Sequence, residues 1–132
     1  MNQAWIIVAN PENMARVARH GVFGLNTKGV LAKVQPGDGV VAYVKGEKAF
    51  AGLGVVTEGY YMDDAPLFEG GLFPDRFGLK LELLPQERWK DIWWFLDDVE
   101  FCSDKARWSA SLVGGIRRIS LGDFEVFRRG LA

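Results

Sequence analysis

A single histidine, His20, and a single cysteine, Cys102, are the only residues of their kind in this 132-residue chain. A Ser–His or Cys–His dyad would need His20 as its base. It falls at the end of a predicted helix, and no G-x-S-x-G elbow surrounds Ser109 or Ser111. Asp63 with Asp64, and Asp97 with Asp98, are adjacent pairs, and adjacent side chains point apart, so neither pair forms an acid/base couple. The stretch "GLGVVTEG" echoes a dinucleotide loop but lacks the strand-to-helix step such a loop needs. No Cys/His spacing suits zinc and no phosphate-binding loop occurs, so no enzyme, metal or cofactor is expected. Cys102 reads as a small buried hydrophobe.

What remains is a set of aromatic rings between predicted elements. Phe23 follows the first helix; Tyr60, Tyr61, Phe68 and Phe73 lie in a long irregular segment; Trp108 lies in "KARWS". Any one of them could fill a core. Rings on separate loops can also converge on a flat or methylated group and hold it by dispersion or cation–π attraction. Single unstacked bases are held in this way, with aromatic walls, polar groups on the base edge and Lys/Arg on the backbone. A net charge of −1 and a pI near 5.8 are too balanced for nucleic-acid binding by general electrostatics. Binding would need a local basic face, and basic residues do bunch at Arg16, Arg19 and His20, at Lys105 and Arg107, at Arg117 and Arg118, and at Arg128 and Arg129.

The elements that must position these residues are legible in part. Ala4 to Ala9 is an apolar run of strand length. Asn10 is a helix cap with Pro11 at the first helical position, and Gly21 is the stop. Met14, Val17 and Ala18 give that helix an inward face. A short helical piece covers Gly29 to Val34, and "QPGD" signals a type II turn. Val40 to Lys45 and Ala49 to Glu58 are strands joined by "GEK", with a bulge or bend at Gly52 and Gly54. Gly59 to Asp75 reads as a long loop, and Phe77 to Leu83 as the clearest half-buried strand. "ERWKDIWWFLDDVEF" fits either a helix or a short strand followed by a helix. Ser120 to Asp123 resembles a capping box, after which Phe124, Phe127 and Leu131 share a helical face.

These elements make one α+β domain over residues 1–132, a compact bent β-barrel with peripheral short helices. With no signal peptide and no apolar run near 18 residues, a cytoplasmic protein that avoids membranes is expected.

The order of "WIIVANPEN", "HGVFGL", "VQPGDGVVAYVKGEKAFAGLGVVTEGYYMDD", "FPDRFGLKLELL", "DKARWS" and "GGIRRIS" resembles the EVE domain, a PUA-like family related to the YTH readers of methylated adenine. The resemblance implies a small pseudo-barrel with a pocket for one flipped, modified base of DNA or RNA. Phe23 stands where the family usually has a Trp wall, keeping a π face with less area and no indole N–H. Asn13, with Asn10 beside it, maps onto the position that reads the base edge; an amide both donates and accepts there. Phe68 and Phe73 supply further walls, and Trp108 and Ser109 of "RWS" lie close to the pocket. Gly29, with Lys28 beside it, stands where a polar reader often precedes the second helix, and the "KGEK" hairpin is short.

The resulting expectation is a non-enzymatic reader. Phe23, Phe68 and Phe73 stack, Asn10 and Asn13 read the edge, and Lys28, Lys105 and Arg107 hold phosphates. The partner is a modified nucleic acid, with a nuclease or RNA-modifying enzyme as a companion and a monomer or weak dimer as the working form. The alternatives are a protein that binds a nucleoside-like small molecule and an interaction domain that uses "RWKDIWWFL".

Overall fold

The computed structural model describes residues 1–102 and 104–132. The apolar run becomes strand β1 (Ala4–Ala9). It passes into helix α1 (Pro11–His20), where the Asn10 side chain accepts a hydrogen bond from the Asn13 N–H at 2.8 Å. Gly21, at φ 68°, donates its N–H to the Val17 carbonyl and ends the helix.

The next segment differs from the expected loop. Val22–Leu25 is a strand, β2, antiparallel to β5 (Asp75–Leu83). Phe23 sits opposite Phe77 with ring centroids 5.5 Å apart and is only 2% exposed. Four residues carry too little local pattern to mark a strand. Pairing with a distant stretch of chain makes this one.

"QPGD" forms its turn, with Gly37 at φ 90° and the Asp38 N–H donating to the Gln35 carbonyl at 3.1 Å. The buried Asp38 carboxylate accepts from Trp5 Nε1, Gln3 Nε2 and the Gln35 N–H, each at 2.9 Å. That network ties the turn to the start of β1. Strand β3 (Gly39–Val44) and strand β4 (Ala49–Met62) follow. Ala42 pairs with Gly52 and Tyr43 with Phe50, so Ala51 is the extra residue of a bulge beside Gly52. Two further register shifts, between Val56 and Glu58 and between Glu58 and Tyr61, bend β4 and carry it on to Met62. The expected loop from Gly59 to Asp75 is shorter in consequence.

The Trp-rich segment adopts the short-strand alternative, but a 3-10 turn replaces the helix. Strand β6 (Lys90–Asp91) bridges to Ala49 and Phe50, and the turn covers Ile92–Trp94. Ile92, Phe95 and Leu96 are buried, whereas Trp93 and Trp94 are 69% and 66% exposed. A second 3-10 stretch, Lys105–Leu112, leads to strand β7 (Ile116–Ile119) and helix α2 (Leu121–Leu131). Ser120 Oγ accepts from the Asp123 N–H at 3.0 Å, as a capping box requires. The Asp123 carboxylate instead receives the N–H groups of Glu100 and Phe101, both at 2.8 Å.

The sheet runs β2-β5-β4-β3-β1-β7, with β6 added on β4; β1 and β3 are parallel and the other pairs antiparallel. β1 and β3 are buried on both faces, which explains their nearly unbroken apolar sequences. One face packs Phe50, Phe95, Phe101 and Phe127 beneath α2; the other packs Trp5, Ile7, Met14, Val17, Phe23 and Phe77 beneath α1. Cys102 is buried in the first of these layers. The result is an α+β fold, a curled half-barrel of mixed strands with short helices outside.

Candidate functional site

At the carboxyl ends of the parallel strands β1 and β3 the sheet opens into a cavity of about 720 Å³. Asn10, Asn13, Phe23, Phe68, Phe73 and Ser109 all border it. Elements far apart in sequence have therefore brought most of the predicted base-pocket residues together.

The wall formed by residues 63–74 is held by polar contacts. The Asn13 amide grips the backbone of Glu69 at both ends: Nδ2 donates to its carbonyl at 2.9 Å and Oδ1 accepts its N–H at 2.8 Å. One N–H and one lone pair of that amide stay uncommitted. Arg16 adds an ion pair to Glu69 at 3.0 Å and a bond to the Leu67 carbonyl at 3.3 Å.

Beneath the wall lies Arg76, fully buried. Its guanidinium donates to the carbonyls of Ala65, Leu72 and Phe73 and lies 5.3 Å from the Phe68 ring centroid. Sequence reasoning missed this residue. Its one signal was an arginine at the start of an otherwise apolar strand, "DRFGL".

The clamp places Phe68 and Phe73 edge to face, with centroids 5.8 Å apart and planes at 83°. Phe73 adopts φ 48°, a left-handed conformation that a bulky residue holds only where its surroundings force it. Gly24 of β2 makes the close approach feasible, because a Cβ there would stand 2.5 Å from the Phe73 carbonyl oxygen. Phe23 contributes the inner floor of the cavity rather than a loop wall, since it belongs to the core.

The predicted phosphate contacts do not gather here. Lys28 lies over the Tyr60 ring at 4.9 Å, beside a separate depression. Lys105 is paired with Asp97 at 2.6 Å, and Arg107 stands 4.0 Å from Asp104. None of the three borders the cavity, whereas Lys45 and Lys48, in the "KGEK" turn between β3 and β4, do. Trp108 does not border the cavity; it packs edge-on against Tyr43 at 6.1 Å, on the α2 side of the sheet. Tyr43 itself borders the cavity, and burial raises its phenol pKa above the ordinary value, keeping it protonated.

The curled sheet, the two flanking helices and the cavity across the strand ends define a PUA-like fold. Within that class the chain belongs to the EVE domain family, whose model matches residues 3–78. It is 29% identical to the UPF0310 protein PH1033 of Pyrococcus horikoshii, over 95% of this chain and 96% of that one. It is 28% identical to the UPF0310 protein msl3206 of Mesorhizobium japonicum, over 99% and 93% of the two chains. Among solved structures, it superimposes on a Pseudomonas putida protein with TM-score 0.66 at 12% identity, covering 98% and 99% of the two chains. The Pho92 YTH domain, crystallised in complex with m6A, gives TM-score 0.68 at 10% identity over 99% of this chain and 84% of that one. No helix of the described residues is long and apolar enough to cross a membrane.

Proposed function

We propose that this chain is a non-enzymatic reader that seats one modified nucleobase of DNA or RNA in the cavity. The observation that carries this reading is the pair of perpendicular, half-buried rings, Phe68 and Phe73, fixed over the opening by Asn13 and Arg76. A flat group can stack against the cavity-facing side of these rings with little reorganisation, because they are already positioned. The spare N–H and lone pair of Asn13, together with Asn10 and Ser109, face a base edge. Lys45 and Lys48 take the phosphates in place of Lys28, Lys105 and Arg107. Trp108 buttresses Tyr43 beside the cavity. The fold shared with a YTH domain crystallised with m6A agrees with this reading.

The test is a titration with short single-stranded and duplex DNA and RNA carrying N6-methyladenine, 5-methylcytosine, 5-hydroxymethylcytosine or no modification. The wild-type chain should prefer one modified base about tenfold, roughly 1.4 kcal/mol. Phe73→Ala and Phe68→Ala should each remove that preference, since base–aromatic stacking contributes about 1–3 kcal/mol per base. A weak, salt-sensitive background should remain. Phe23→Ala is a poorer probe, because truncating a core ring unfolds protein whatever it binds. Equal losses on modified and unmodified probes would sink the proposal. Free nucleoside bound as tightly as an oligonucleotide would point to a small-molecule binder instead.

A further inference from the structure

Tyr43 is held on two sides, by Phe50 at 5.0 Å and by Trp108 at 6.1 Å, both edge to face. Only 6% of the residue is exposed, and it borders the cavity one position before β3 ends. The ring cannot swing away to satisfy its hydroxyl elsewhere. That hydroxyl has no hydrogen-bond partner among the described residues.

This sets it apart from comparable groups in the chain. The indole N–H of Trp5 meets Asp38, that of Trp89 meets the Leu84 carbonyl, and the Tyr60 hydroxyl meets Asp75 at 2.6 Å. Buried tyrosines ordinarily find such a partner, so a hydroxyl that meets no described protein group is left to the cavity that Tyr43 borders. The oxygen is also not sealed in, since it is absent from the fully enclosed unpaired atoms, which are Arg16 Nε and Arg76 Nη1.

We infer that the Tyr43 hydroxyl is a specificity-determining group, donating a hydrogen bond to an acceptor atom on the edge of the ring seated in the cavity. This rests on the reader proposed above. On this side Lys45 and Lys48, placed on phosphates above, donate only, while the Ser109 hydroxyl can donate or accept. A donating Tyr43 hydroxyl selects an edge that presents a carbonyl oxygen or an unprotonated ring nitrogen. The aromatic walls by themselves accept any flat ring.

The experiment compares wild type with Tyr43→Phe in the full chain, against the same modified and unmodified oligonucleotides, and follows thermal unfolding in parallel. The variant keeps the ring and loses only the oxygen. Affinity for the preferred modified probe should fall about 3- to 10-fold, the effect of one hydrogen bond. The unfolding midpoint should not drop. Unchanged affinity for the preferred probe would overturn this inference and leave the reader standing. A lowered midpoint would also overturn it, by showing that the hydroxyl serves the fold. A wild-type chain with no preference for any modified probe would overturn the reader, and this inference with it.

Discussion

On the α2 side of the sheet, Phe127 meets Phe50, Phe95 and Phe101 at centroid distances of 4.5, 4.8 and 6.1 Å. Nothing polar is needed to hold these rings, because dispersion and burial act in every direction and close any gap. On the α1 side the apolar layer runs to Ala9 and Val44 at the ends of β1 and β3, and there the boundary passes to Asn13, Arg16 and Arg76. Their bonds are directional and fix a wall at a distance from its opposite. A cavity lined with aromatic side chains would otherwise collapse, since closing it buries area at about 25 cal/mol per Å². The difference teaches that stability and opening are assigned to different chemistry on the two faces.

Phe127→Ala should produce the largest effect, a loss of about 3–5 kcal/mol in urea unfolding, because it removes the ring its neighbours share. The fraction that stays folded should keep the base preference of the wild type. Loss of that preference in folded protein would show that the faces are not independent. Gly24→Ala tests the other side. Its new Cβ would press on the Phe73 carbonyl oxygen from 2.5 Å, lifting the wall. A penalty of about 1–3 kcal/mol is expected from such crowding, together with a base preference reduced beyond what stability explains. Normal binding by this variant would mean the wall tolerates displacement.

The smallest effect belongs to Glu125 on α2. Hydrogen bonds from Arg128 and then Arg129 outweigh partial desolvation and hold its carboxyl at about 2, against an ordinary 4.5. Its contribution is present above pH 4.5 and is lost as pH falls toward 2. Glu125→Gln should therefore lower the unfolding midpoint slightly at neutral pH, with the gap to wild type closing near pH 2. A gap that persists there would assign the effect to helix propensity. Binding at the cavity should not change.

Helix α1, with its Asn10 cap and Gly21 stop, and the start of α2 at Ser120 were legible because capping and periodicity are local. Each depends on residues within a turn or two. The turn at Pro36 and Gly37 follows from the same kind of rule. The pocket residues Asn13, Phe68 and Phe73 came from a resemblance in the order of motifs, and the fold does bring them to one cavity. Lys28, Lys105 and Arg107, read as phosphate contacts, lie away from the cavity lining. A lysine's charge is written in the sequence, but its nearest carboxylate or ring is a matter of tertiary position.

The amino-acid sequence by itself determined the strands that run buried through the centre, helix α1 with both its ends, the start of α2, and the family. Each of these rests on near neighbours or on the order of motifs along the chain. Only the tertiary structure decided that Phe23 is a strand residue of the core, that Asn13 grips Glu69, that Arg76 holds the wall, and that Tyr43 brings to the cavity a hydroxyl with no partner among the described residues. Those facts depend on backbone carbonyls and rings brought together from distant segments. Local chemistry cannot specify such meetings until the sheet has curled and set its registers.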